Sequence, residues 1–353
     1  MKKIFLFLIL LMCIVNVHAT GKINKLIFFG DSLSDNGNLY GLTFHLIPKS
    51  PPYFDGRFSN GPTWAEYVGN YYHNQSNMAY KIYAYGDATA LSLLTPNLTS
   101  PINLEFEMNK YFLDALFQDK SQVLFAIWIG GNDYLNSGKA NPDRITTKVV
   151  DQISSTITTL ITNGGKNFLI INLPDLSQIP KIRGSQSEAI FHEFTILHNQ
   201  KLELAIQKLQ YQYPEITVTS FNIYDFLYAV LADPDKYNQK YHTNMTHFFE
   251  ACWTGGMWFS KAYHADGLKQ EIQQRIAASD TKISKHFDAE ALNDFIMQTP
   301  ELAQTYQMGQ SYLHGNVPCA NPEEYFFWDA IHPTAVAHNI LGQIIVEQLG
   351  DIG

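Results

Sequence analysis

The chain has 353 residues, with 24 Lys and Arg against 33 Asp and Glu, a formal net charge of −9 and 14% aromatic residues. An acidic chain without a basic stretch argues against a nucleic-acid partner, and leaves any contact with a membrane surface to apolar side chains. The aromatic fraction is high enough for both a large core and an apolar binding surface.

Lys2 and Lys3 precede an apolar run from Ile4 to Val17, and Val17-His18-Ala19 closes it. A basic start, an apolar middle and a small-residue site read as a secretory signal peptide over residues 1–19. The run is short for a membrane span. A lipid anchor on Cys13 is the weaker reading, because Met12 stands where a small residue is expected and the apolar run continues past it. Loss of 1–19 removes two lysines and no acid, taking the net charge to −11. Two cysteines then remain, Cys252 and Cys319. An even count in an exported chain favours one disulfide over two buried thiols. The expected localisation is secreted or periplasmic.

Five short apolar runs read as buried strands: Lys25–Phe29, Ile82–Tyr85, Val123–Ile129, Asn167–Asn172 and Ile216–Phe221. Helical spacing fills the intervals. Ile145, Val149, Ile153, Ile157 and Leu160 recur every three or four residues before Gly164-Gly165. Ile190, Phe194, Leu197, Leu204 and Ile206 lie in a second long helix that Pro214 closes, and a last helix runs from about Thr334 to Leu349. Alternating strands and helices predict an α/β fold with a parallel sheet covered on both faces. Residues 20–353 read as a single domain. Between about 233 and 322 there is no convincing strand, only an aromatic-rich start (His247-Phe248-Phe249, Trp253, Met257-Trp258-Phe259) and helical stretches near 269–278 and 289–308. This reads as an insertion.

In open parallel sheets ligands bind beyond the carboxyl ends of the strands, so the residues that follow each strand are the candidates. Gly30-Asp31-Ser32 follows the first, and a serine at a helix start there is either a nucleophile or a plain N-cap. Gly86-Asp87 follows the second and Gly130-Gly131-Asn132-Asp133 the third. A glycine N–H and an Asn amide suit an oxyanion, although both stretches are also ordinary turn chemistry. Near the end, Asp329 and His332 lie three residues apart before Pro333. A carboxylate at that spacing can hold an imidazole that deprotonates a serine. There is no Gly-x-Ser-x-Gly, zinc-type His cluster, phosphate loop or dinucleotide fingerprint, so no metal and no cofactor is expected.

The blocks Phe29-Gly30-Asp31-Ser32-Leu33-Ser34-Asp35, Gly86, Gly130-x-Asn132-Asp133 and Asp329-x-x-His332-Pro333-Thr334 together resemble the GDSL (SGNH) family of lipases and acylhydrolases, in the family's order. Gly56-Arg57-Phe58-Ser59-Asn60-Gly61-Pro62-x-Trp64 and Asn172-Leu173-Pro174-Asp175-Leu176 add to the match. The resemblance implies a flavodoxin-like α/β/α three-layer sandwich with about five parallel strands. It implies Ser32 as nucleophile, Asp329 and His332 as its triad partners, and an oxyanion hole of Ser32 N–H, Gly86 N–H and Asn132. Asp87 departs from the pattern, since many relatives carry a second glycine there.

The stretch from Cys319 to Asp329 is similar to the bacterial secreted phospholipase and glycerophospholipid–cholesterol acyltransferase branch. That implies a lipid or lysophospholipid substrate, an acceptor alcohol such as a sterol, and transient contact with a membrane surface. In some members of the branch a disulfide loop controls activity, and a Cys252–Cys319 bridge here would enclose 66 residues. The aromatics from Trp253 to Phe259 are then expected to form or gate an acyl groove. A carbohydrate or small-ester acetylesterase is the alternative, and an inert exported binding protein is a third reading.

Overall fold

The computed structural model describes residues 22–95, 98–99, 101–137, 140–255, 265–279 and 288–353. The expected signal peptide at 1–19 and Met257-Trp258-Phe259 lie outside them. The chain opens with β1 (Lys25–Gly30), α1 (Asn38–Leu42), α2 (Trp64–Ser76) and β2 (Ala79–Ile82), then a hairpin of β3 (Leu93–Thr95) and β4 (Leu98–Thr99). It continues through α3 (Leu104–Asp114), β5 (Val123–Trp128), α4 (Gly131–Leu135), α5 (Pro142–Thr162), β6 (Asn167–Ile171), α6 (Glu188–Gln212), β7 (Thr217–Phe221) and α7 (Ile223–Ala232). The last part carries α8 (Pro234–Tyr241), β8 (His247–Ala251), α9 (Ala265–Ala278), α10 (Ala289–Gln298), α11 (Pro300–Leu313), β9 (Tyr325–Phe327) and α12 (Ala335–Leu349).

The main sheet has the order β2-β1-β5-β6-β7 and is parallel throughout. Successive strand residues point to opposite faces, and both sets here are apolar. Ile27, Phe29, Phe125, Ile127, Phe168 and Ile170 pack under α3, α5 and α6. Leu26, Phe28, Leu124, Trp128, Leu169 and Ile171 pack under α2 and α12. The result is the expected three-layer α/β/α sandwich. Local signals set the helix ends. Asn141 caps α5 by accepting from Arg144 N at 3.0 Å, with Pro142 in its first turn. Thr63 and Glu66 form a capping box on α2.

Four expectations change. The second strand ends at Ile82 and not Tyr85. Tyr83 N still donates to Phe28 O at 2.7 Å, but the Ile82 and Ala84 carbonyls accept from the Asn38 amide at 3.1 and 2.8 Å. β7 is an edge strand whose Thr217 and Ser220 are exposed, so it is not covered on both faces. The helix expected over 289–308 is broken at Thr299, with Pro300 opening α11. The segment 233–322 does contain a strand, β8, which pairs in parallel with β9 at His247–Tyr325 and Ala251–Phe327. Its partner lies far along the chain, so local patterning carried no sign of it. The same segment adds Leu268, Ile272, Leu292, Ile296 and Leu302 to the main apolar core.

Cys252 and Cys319 are bonded, with Cα atoms 4.9 Å apart and a sequence separation of 67. Cys252 N donates to Phe327 O at 3.1 Å and Trp253 N to Trp328 O, so the bridge ties the end of β8 to the segment leading into Asp329. Closing a loop of this size stabilises a fold by roughly 4 kcal/mol on the chain-entropy account. The double substitution Cys252→Ser, Cys319→Ser is expected to lower the unfolding free energy in urea by about 3–4 kcal/mol. An unchanged midpoint would contradict that role.

Candidate active site

The strand order turns around β1, with β2 on one side and β5 on the other. That switch point leaves a crevice beyond the carboxyl ends of β1 and β5. Ser32 stands just past β1 and Asn132 lies in α4, just past β5. The two strands approach closely here: a Cβ on Gly30 would lie 2.5 Å from the Trp128 carbonyl oxygen. Glycine is therefore required before Asp31-Ser32.

His332 enters from the C-terminal loop. Its Nε2 is 2.8 Å from Ser32 Oγ, and its Nδ1 is 2.9 and 2.8 Å from Asp329 Oδ1 and Oδ2. All three residues are buried. Asp329 Oδ1 also accepts from the N–H groups of Ile331 and His332 at 2.9 and 2.8 Å. The Tyr53 hydroxyl donates to Oδ2 at 2.7 Å. Burial works to raise the Asp329 carboxyl, but the His332 charge and the hydrogen bonds from His332 and Ile331 outweigh it and hold the group below the usual carboxylate range. The Phe58 ring lies 5.1 Å from the imidazole, centroid to centroid. A charged carboxylate on one imidazole nitrogen and a serine hydroxyl on the other can transfer the serine proton.

The expected oxyanion donors divide. Asn132 Nδ2 donates to Ala88 O at 3.0 Å, which occupies one of its two hydrogens. Gly86 N–H is committed elsewhere: it donates to Asp35 Oδ2 at 2.7 Å, and Asp35 also accepts from Gly37, Asn38 and Leu39 N–H. Asp87, not Gly86, lines the cavity beside Ser32 and Asn132. Asp87 has φ +60°, the left-handed region, and that is the physical reason a glycine suits this position.

Two cavities meet at Ser32. One is almost wholly apolar and runs between Leu176, Ile179, Phe226, Leu227, Phe326 and Leu341. The other lies under α11, with Asp87, Glu301, Thr305 and Met308 in its wall beside Ser32 and His332. The aromatics after Cys252 were expected to make the apolar groove. Trp253 is instead fully buried against Tyr53, Met308 and Trp328, because it packs the disulfide end of the molecule.

Sequence reasoning missed Tyr53, which is far from Asp329 along the chain and carries no motif of its own. It also gave no bracing role to the buried acids that hold the crevice loops, Asp133 of the third block among them. Glu107 accepts from Gly30 and Tyr85 N–H at 2.9 and 3.2 Å, and Asp133 from Ala90 and Leu91 N–H at 2.7 and 3.0 Å. A buried carboxyl whose neighbours in the chain offer no partner was the available signal.

The family model of the GDSL-like lipase/acylhydrolases matches residues 26–345. The chain belongs to this family. It is 30% identical to the phosphatidylcholine-sterol acyltransferase of Aeromonas hydrophila, over 97% of this chain and 96% of that protein. It is 29% identical to the secreted effector protein SseJ of Salmonella typhimurium, over 60% of this chain and 50% of that one. Among solved structures it is similar to Est24, a carbohydrate acetylesterase from Sinorhizobium meliloti, at 17% identity and a TM-score of 0.34, covering 56% of this chain and 83% of that one. As a GDSL family member the protein is a carboxylic ester hydrolase.

Tyr53→Phe removes one donor from a buried carboxylate and leaves packing intact. A hydrogen bond to a charged group contributes about 1.5 kcal/mol or more, so the ester kcat should fall roughly tenfold with little change in KM. An unchanged kcat would sink the role given to Tyr53. The buried acids set a pH dependence of stability. Burial foremost raises Asp31 and Asp35 to about 6 and Asp133 to about 7. The folded chain then holds protons that the unfolded chain has released, so stability falls as pH rises from about 4 towards about 7. Asp329 is shifted the other way and acts only below its ordinary 3.8. Urea titrations should give a larger unfolding free energy at about pH 5 than at about pH 7.5. The reverse order would contradict the assignment.

Proposed function

We propose that the protein is an exported lipid acyl-ester hydrolase, a phospholipase A or lysophospholipase A that can also transfer the acyl group to an alcohol. The observation that carries this reading is the apolar cavity that has Ser32, the partner of His332, in its wall. An acyl chain seated there brings its ester carbonyl to the hydroxyl. The 30% identity to a protein named for phosphatidylcholine and sterol supports the lipid class and an acceptor such as a sterol. The apolar run before Ala19 supports export, to the periplasm or beyond, where the enzyme meets a membrane surface transiently.

In this mechanism Ser32 Oγ attacks the ester carbonyl while His332 Nε2 takes its proton. Asp329 holds the imidazole and stabilises its charge. The oxyanion is met by Ser32 N–H and the free hydrogen of the Asn132 amide, while the Gly86 N–H stays with Asp35. His332 then gives its proton to the leaving alcohol. Water, or an acceptor alcohol such as a sterol, attacks the acyl-serine with His332 again as base. The products are a free fatty acid or a new ester.

Ser32→Ala should lower fatty acid release by at least about a thousandfold, as expected for loss of a triad nucleophile. Wild type and Ser32→Ala are compared on phospholipid, lysophospholipid, a long-chain ester and an acetyl ester. Release from the lipids by wild type alone is the expected result. Turnover of the acetyl ester alone would move the assignment to a small-ester or carbohydrate esterase, and equal rates in the two proteins would remove Ser32 from the mechanism.

A further inference from the structure

We propose that the cavity under α11 is a primary-ammonium site, in which Asp87 and Glu301 bind the ethanolamine end of a phospholipid or lysophospholipid headgroup. This rests on the lipid reading above and deepens it. The two cavities share Ser32, Asn132 and Ile331, so the scissile ester lies at their junction. With the acyl chain in the apolar cavity, the leaving group points into the other one.

Two carboxylates in the wall of that second cavity have unanswered acceptors. Asp87 is 7% exposed, and its Oδ1 has no hydrogen-bond partner. Glu301 Oε2 is likewise buried and unpartnered. Lys181 Nζ lies 2.7 Å from Glu301 Oε1. The Thr305 hydroxyl, in the same wall, donates to the Glu301 carbonyl oxygen and not to its carboxylate. The two acids therefore have Lys181 as the cation beside them. Other buried acids around the crevice have donors: Asp31 accepts from Leu33 N–H, and Asp35, Glu107 and Asp133 each accept from at least two backbone N–H groups.

A buried acceptor left without a donor is unfavourable, and more so when it is charged. Burial, and after it the charge of Glu301, pushes the Asp87 carboxyl well above its ordinary range, so a cation beside it would favour its ionised form. The ligand that answers both deficits brings a positive charge and several hydrogens at one atom. A primary ammonium does so with three N–H donors. A trimethylammonium brings the charge without a hydrogen, a glycerol hydroxyl brings a hydrogen without the charge, and an anionic headgroup is repelled.

The test uses four substrates with the same acyl chain: lysophosphatidylethanolamine, lysophosphatidylcholine, lysophosphatidylglycerol and monoacylglycerol. kcat and KM are measured for wild type, Asp87→Asn and Glu301→Gln, two neutral variants on separate elements. Wild type should prefer the ethanolamine lipid over the choline lipid by about tenfold in kcat/KM, the scale of a charge-assisted hydrogen bond. Each variant should reduce the ethanolamine-to-monoacylglycerol ratio by about as much, mainly through KM. A wild type that favours choline, or variants that change all four substrates alike, would overturn the inference and leave the lipid reading standing. Failure of wild type to hydrolyse any of the four would overturn both.

Discussion

The hydrogen bond between Ser32 and His332 joins residues 300 positions apart, and most of the architecture serves to hold that distance. On one side, β1 and β5 are locked in parallel register from Lys25–Val123 to Gly30–Trp128, and the close approach at Gly30 sets where the chain turns into Ser32. On the other, α12 packs on α2 and anchors the C-terminal loop to the same face of the sheet. The segment from Gly56 to Pro62 connects the two. Ser59 Oγ donates to Pro333 O at 2.8 Å, and the Asn60 side chain accepts from Ala335 N at 2.7 Å. Within the loop, Trp328 N donates to the His332 carbonyl at 2.7 Å. The imidazole is thus placed by backbone and clamp before Asp329 acts on it.

The surroundings of Ser32 are asymmetric in polarity. Towards α7, β9 and α12 the walls are aliphatic and aromatic. Towards α11 they carry carboxylates. In a chain of net charge −9, buried acids are unfavourable unless something answers them. Asp35, Glu107 and Asp133 are answered by the N–H groups of the loops they hold, so these acids act as braces of the crevice. Asp87 and Glu301 share a wall with Ser32 and keep an oxygen unanswered, which makes that wall chemically different from the rest of the site.

The parts of the molecule legible in its sequence are those encoded locally. Four of the five sheet strands read directly as apolar runs, the α5 stripe and its cap lie within one window, and the Ser32, Asn132 and Asp329–His332 blocks each occupy a few residues at a strand or loop end. The parts that were not legible depend on partners far along the chain. β8 exists because β9 lies beside it. β2 stops where the Asn38 amide takes over its carbonyls. Tyr53 finds Asp329 across 276 positions. Whether Gly86 offers its N–H to the crevice depends on Asp35, which the motif around Ser32 contains but whose side-chain direction no motif reveals. The aromatic residue after Cys252 looked like a binding surface and is core, because hydrophobicity alone does not separate a groove from a packed interior.

The most direct test of the account is the covalent reaction of the protein with alkyl phosphonates of increasing chain length, followed by intact mass and peptide mapping. Ser32 as nucleophile beside an apolar cavity predicts a single adduct on Ser32, formed faster with a long chain than with a methyl group, and none in Ser32→Ala. An adduct on another residue, or no adduct with any chain length, would contradict it.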